Sequence, residues 1–281
     1  RVIKKITWTS GTIYEMYRPD YSINKLSPQT SSTSLYSTNY YAMNSDFRVY
    51  ECIYNGALPS NSGAGVISLE EPTHTDLQPR LESDGYIWKY LYTIKPSDII
   101  KFDSAEYIPV PADWLTNTAV ADVRNAAVDG KIETVVIEDV TNASYQFNGT
   151  KNAVPIRGDG SDGLASVTFI NGKPSAVQVT NGGSGYSFAT LDLDDVVTGS
   201  GASFSVIVPP PGGHGADIYR ELGANKVLVY SRIENSDITN PDFPTGNQFA
   251  RIGIIENPQQ FGSTNLLTAS SASGVYGLRL A

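Results

Sequence analysis

The run Tyr86-Ile87-Trp88-Lys89-Tyr90-Leu91-Tyr92-Thr93-Ile94 constrains this chain more than any other feature. Aromatic, β-branched and aliphatic residues follow one another until Pro96 stops them, so the segment reads as a strand. Its apolar residues are nearly continuous rather than alternating. A strand of that kind expects cover on both faces, and the fold must supply layers on either side. Phe47-Arg48-Val49-Tyr50-Glu51-Cys52-Ile53-Tyr54 alternates and reads as a second strand, ended by Asn55-Gly56.

The rest of the chain agrees with an all-β reading. Short β-branched and aromatic runs sit between turn signals, and the polar residues are Ser, Thr, Asn and Gly more than Lys and Glu. Among 281 residues only 17% are charged, while 17 Tyr, 9 Phe and 3 Trp supply ample core material. A disordered chain or a coiled coil would need the opposite composition. The net charge is −9 and the densest basic cluster is Lys4-Lys5, so neither nucleic acid nor an anionic membrane surface is an expected partner. No apolar run approaches the ~18 residues that span a bilayer. Cys52 is the single cysteine, which excludes an internal disulfide and a Cys-based zinc site. The chain opens at Arg1 rather than Met, which leaves a longer parent protein open.

The texture changes along the chain. Residues 21–44 and 57–83 are turn-rich, and the first is studded with Tyr21, Tyr36, Tyr40 and Tyr41. Long irregular stretches in a compact protein are usually functional or interfacial, so these are the candidate contact loops. Ser97 is expected to cap a helical turn, and residues 118–128 to form the best helix, with Val120, Val123 and Ala127 on one face and Gly130 beyond the end. Residues 131–208 then contain no Trp and only Tyr145 and Tyr186, with strands at 134–137, 165–170, 176–180 and 203–208. Asn171-Gly172 between two of them predicts a hairpin with a slightly extended loop. Pro209-Pro210-Pro211-Gly212-Gly213 closes the segment, a short helix is expected over 217–222, and strands resume at 226–231 and 249–255. The expected architecture is mainly β: a layered β-sandwich with short helices in loops, formed by 1–115 and 213–281, plus an inserted small β domain over 116–212.

Candidate chemistry is sparse. Gly158-Asp159-Gly160-Ser161-Asp162-Gly163 matches G-x-G-x-x-G, but a strand rather than a helix follows, so a turn is expected instead of a dinucleotide site. Asp159, Ser161 and Asp162 could offer oxygens to Ca²⁺, yet Ile170 stands where an EF-hand loop requires Glu. His74 lies among carboxylates without zinc-ligand spacing. His214 beside Asp217 suggests a tight turn capping a helix, since no G-x-S-x-G elbow supplies a serine nucleophile. Cys52 reads as a small buried hydrophobe. Asp194-Asp195 and Glu70-Glu71 are carboxylate pairs, but glycoside hydrolysis requires a groove with a defined spacing. No catalytic residue, metal site or cofactor is expected, nor a small-molecule ligand. A scaffold or binding protein is favoured over an enzyme.

Several stretches carry a resemblance. Asp84-Gly85-Tyr86-Ile87-Trp88-Lys89-Tyr90-Leu91-Tyr92, followed by Glu106-Tyr107-Ile108-Pro109-Val110-Pro111, resembles the baseplate wedge proteins encoded by gene 8 of T-even-type contractile-tailed phages. Phe249-Ala250-Arg251-Ile252-Gly253-Ile254-Ile255-Glu256-Asn257-Pro258 resembles a later strand of that family, and Val49-Tyr50-Glu51-Cys52-Ile53 is a further match. Gly212-Gly213-His214-Gly215-Ala216-Asp217 with Glu221-Leu222-Gly223-Ala224 is similar to versions from phages of marine cyanobacteria. The resemblance covers roughly 45–115 and 212–260, in order. Residues 116–212 have no counterpart in it, although Asn181-Gly182-Gly183-Ser184-Gly185-Tyr186 resembles small β modules of phage structural proteins. The family implies a three-layer β-sandwich, a homodimer, neighbouring wedge proteins as partners, and residence in the virion after assembly in the host cytoplasm. It implies no catalysis and no cofactor, and no functional residue carries over. The candidate interface residues, Tyr21, Tyr36, Tyr40, Tyr41 and His74, come from loop composition. The alternative is a virion module that binds host glycans through 131–208, with Tyr145 and Tyr186 as its stacking residues; a glycan hydrolase ranks last.

Overall fold

Short strands separated by turn residues give short antiparallel ladders, and the protein is mainly β with a few short helices. The computed structural model describes residues 1–193, 196–234, 248–256, 259 and 264–265. Two compact units form. One contains Arg1–Lys5, Ile94–Val120 and Ile218–Ala281, the other Ile6–Thr93 and Ala121–Asp217. Among the described residues no helix is long and apolar enough to cross a membrane.

The first unit holds a four-stranded sheet in the order Gln248–Glu256, Lys226–Glu234, Val2–Lys4, Tyr107–Pro109. Val2, Phe102 and Leu228 pack beneath it. The helix Pro96–Phe102 is capped at Lys95, not at Ser97. Pro96 takes the first helical position because its fixed φ suits that place and its missing N–H costs nothing there.

In the second unit, Tyr41–Met43, Arg48–Tyr54, Ile87–Thr93 and Arg80–Leu81 form an antiparallel sheet in that order. Ile87–Thr93 is buried on both faces except at its ends and at the half-buried Tyr90, as its unbroken apolar run requires. Arg48–Tyr54, whose alternation predicts one covered face, is nonetheless buried on both from Val49 to Ile53. The Tyr86 and Trp88 rings stack at 5.5 Å, and Tyr14 meets Trp88 edge-on at 5.5 Å. The predicted helix over 118–128 is shorter than its pattern. A 3₁₀ turn at Thr118–Val120 leads into Ala121–Ala126, a segment of Asp, Val and Asn with modest helix propensity.

The same unit contains a second sheet, ordered Lys173–Ser184, Ser161–Ile170, Gly149–Gly158, Ala189–Leu191. Here residues alternate. Gly163, Ala165, Val167 and Phe169 point inward, onto a core that includes Val154, Ile156 and Tyr186. The hairpin at Asn171-Gly172 is tighter than expected: Ile170 pairs with Lys173, so the loop is two residues. Asn171 and Gly172 sit at φ 52° and 72°, the left-handed pair that such turns need. Asp159-Gly160 likewise links Gly149–Gly158 to Ser161–Ile170, so the G-x-G-x-x-G stretch is a strand connection.

Candidate functional site

The most pronounced acid–base contact pairs two residues 163 positions apart: His214 Nδ1 lies 2.8 Å from Glu51 Oε2. Glu51 sits in the middle of the strand Arg48–Tyr54 and is 0% exposed; His214 is 5% exposed. A carboxylate this deep requires a partner, because burying one without compensation is very costly. Glycines allow the approach. At Gly213, φ 90°, a Cβ would fall 2.3 Å from the Val128 carbonyl oxygen. Tyr17 meets the His214 ring edge-on at 4.7 Å. The crevice lined by Tyr17, Ile53, Glu133, Thr134, Ile207 and His214 has a free volume of about 0 Å³, too small for a water on that side of the His214 ring. Cys52 is also fully buried, and burial pushes its thiol well above its ordinary range, with the Glu51 charge adding to the effect. This is chemistry of cohesion: a hydrogen-bonded tie inside the core.

A second polar group lines an open cleft of about 530 Å³. Tyr54, Leu81 and Ile87 form one wall and residues 176–180 the other, with Lys131 and Glu133 between them. The Glu133 side chain is 7% exposed, 3.6 Å from Lys131 Nζ and 3.7 Å from Lys89 Nζ. Its Oε2 accepts no hydrogen bond among the described residues. Lys131 Nζ donates to Gln78 Oε1, and Lys89 Nζ donates to the Leu77 carbonyl at 3.1 Å.

The loop residues singled out from sequence divide by burial. Tyr36 is 56% exposed, on the 3₁₀ turn Leu35–Ser37. Tyr21 is half-buried; its hydroxyl donates to the Met16 carbonyl at 3.4 Å and is pushed up by burial and by Glu15. Tyr40 and Tyr41 are buried and meet edge-on at 5.2 Å. His74 is buried too, 4.0 Å from Asp76 and from Glu82. Burial holds its imidazole below the ordinary range, with the Asp76 charge opposing. Arg80 faces both carboxylates at 3.7 and 3.9 Å, so a guanidinium already stands where a metal would compete. A surface contact through this region would therefore meet Tyr36 and Tyr21 before the other three.

Asp159 holds the turn at Ser187 and Phe188. Its Oδ1 accepts from the Ser187 and Phe188 amides at 2.9 and 3.1 Å, and the Ser187 hydroxyl and these amides hold the carboxyl down at about 2. Asp194-Asp195 lies outside the described residues. Tyr145 and Tyr186 are core residues.

Sequence reasoning missed Glu51, Lys89 and Glu133. The signal was present for Lys89, since an ionisable residue inside a continuous apolar strand announces a buried partner elsewhere; Glu51 stands between Tyr50 and Cys52 in a strand whose alternation assigned one face to solvent. Glu133 carries no such mark, because its burial comes from the neighbouring cleft. No family model, curated protein or solved structure matches the chain.

Proposed function

We propose that this chain is a structural subunit of a contractile phage tail baseplate, placed in the wedge as a homodimer against other wedge proteins and performing no catalysis. One observation carries the reading. Two stretches on which the resemblance rests, Val49-Tyr50-Glu51-Cys52-Ile53 and Gly212-Gly213-His214-Gly215-Ala216-Asp217, meet in space at the Glu51–His214 pair. Their ionisable side chains are buried against each other in a contact that fastens distant parts of one unit. That is how a scaffold uses a buried polar pair. An acid–base enzyme would open it to a substrate. The glycan alternative gains no support, because Tyr145 and Tyr186 face the core and offer no exposed ring for stacking.

The test is assembly. The chain should self-associate at micromolar concentration in sedimentation, co-purify with other baseplate proteins, and be found by mass spectrometry in purified tails. A monomer at tens of micromolar that is missing from tails would overturn the proposal.

A further inference from the structure

We propose that the cleft beside Glu133 receives an extended, uncharged segment of a partner protein, laid along the edge of the strand Lys173–Ser184. This strand is the outermost of its sheet, paired on one side by Ser161–Ile170. Five consecutive residues, 176–180, line the cleft. A strand that presented one face would contribute alternate residues only, so it meets the cleft edge-on, backbone included. Past this stretch the edge is closed: the Gly182 carbonyl accepts from the Ile132 amide at 2.9 Å. Strand addition at an open edge is a general mode of peptide recognition, with backbone hydrogen bonds supplying affinity and flanking pockets specificity.

The polar groups of the cleft specify the charge of the occupant. Glu133 and Lys131 both line the cleft: the buried Glu133 Oε2 has no hydrogen-bond donor among the described residues, and Lys131 Nζ lies 3.6 Å from the same carboxylate's Oε1. A cation entering here would meet the Lys131 ammonium, and an anion the Glu133 carboxylate, both of which line the cleft. A neutral amide satisfies both sides, its N–H to Glu133 and its carbonyl to Lys131. Peptide bonds and asparagine side chains carry that pair. Tyr54, Ile87 and Leu81, the last 60% exposed, give aliphatic side chains of the segment an apolar wall. The volume of about 530 Å³ falls within the ~300–1,000 Å³ of ordinary ligand sites.

The inference deepens the structural reading above and can fail separately from it. The probe is a capped, uncharged heptapeptide of alternating valine and threonine with one central asparagine, titrated into the full chain. The controls are the same peptide with a central proline, and N-methylacetamide. Binding of the first peptide should slow amide exchange at residues 176–180 by roughly five-fold or more. The proline version should give no protection, and Glu133→Ala should weaken binding roughly ten-fold. Should Glu133→Ala fail to fold, Leu81→Arg at the exposed wall must abolish binding instead. No binding at millimolar peptide overturns the proposal. So does binding that ignores the proline, or a site that N-methylacetamide fills equally well, which would be a small-molecule pocket. Incorporation into tails without peptide binding defeats this inference alone; peptide binding by a chain absent from tails defeats the baseplate reading alone.

Discussion

The aromatic sheet around Trp88 and the module spanning 131–208 share one compact unit, yet they organise their connections by different means. In the aromatic sheet, tyrosine hydroxyls reach out of the core to hold loop backbone. Tyr86 donates to the Val66 carbonyl at 2.6 Å, Tyr50 to that of His74 at 2.6 Å, and Tyr54 to that of Ala57 at 3.1 Å. Asp84 adds the amides of Leu69 and Glu70. The long stretch 57–83 is thereby ordered from beneath. The module needs little of this. Its central hairpin turns in two residues, and alternation of inward and outward side chains fixes the register. Long connections demand buried hydrogen-bonding groups; short ones need only the right turn residues.

The largest test of this contrast is to cut a hole in each core. Trp88→Ala and Phe169→Ala should each cost about 3–5 kcal/mol. Phe169 holds Tyr145 and Phe147 in edge-on contacts at 5.3 and 5.7 Å, and the module lacks tryptophan. If the module melts as its own region, Phe169→Ala will lower the circular dichroism midpoint while tryptophan emission holds to a higher temperature. Coincident midpoints would mean that the two regions unfold as one.

The tie between Glu51 and His214 comes next. His214→Ala should cost about 3–5 kcal/mol in denaturant unfolding, because it strands a buried carboxylate. Replacing both residues by apolar ones of similar size should cost less than either single change. A double variant as unstable as the sum of its singles would show that packing, not the polar pair, holds the site.

The contrast also explains how much was legible in advance. The unbroken run at 86–94 announced a strand covered on both faces, and Asn171-Gly172 announced a hairpin, because both signals are local. Tyr40, Tyr41 and His74 had the composition of loop contacts but are buried. Composition reports that a tyrosine can face a partner, whereas the fold decides whether its own chain is that partner. The cleft could not be foreseen at all. It joins Tyr54 and Leu81 to residues 176–180 across more than ninety positions of intervening sequence, and nothing in either segment refers to the other.

Smaller effects should separate the hydroxyl clamps. Tyr86→Phe leaves the Tyr14 amide and the Val66 carbonyl without the group that joins them, and Tyr186→Phe does the same to the Gly163 amide and the Ile156 carbonyl. Each should cost about 1–3 kcal/mol. The consequences should differ in place. Tyr86→Phe should speed amide exchange and limited proteolysis within 57–83, while Tyr186→Phe should loosen only the strands that meet at Gly163. If Tyr86→Phe leaves 57–83 as protected as before, the loop is ordered by Asp84 and its neighbours alone.

The smallest effect concerns pH and belongs to the aromatic side, because neither histidine lies in 131–208. Burial lowers the folded pKa of His74 below its ordinary value of 6.5. The unfolded chain therefore takes up the proton first as pH falls. Stability is complete above about 6.5 and declines as pH drops toward the lowered folded value. Glu82, 4.0 Å away, has the opposite sign: burial raises its folded pKa, so protonating it on acidification relieves a cost. The two must be separated by difference. Denaturant midpoints of the parent chain and His74→Gln, followed from pH 7.5 to 5.5, should diverge, with the variant showing the shallower loss. Asp76→Asn removes a charge that favours protonation of His74 and should steepen the decline. Parallel curves for the parent and His74→Gln would mean that the imidazole titrates alike in the folded and unfolded chains, and that its enclosure by Tyr50 and the 57–83 loop is looser than its burial implies.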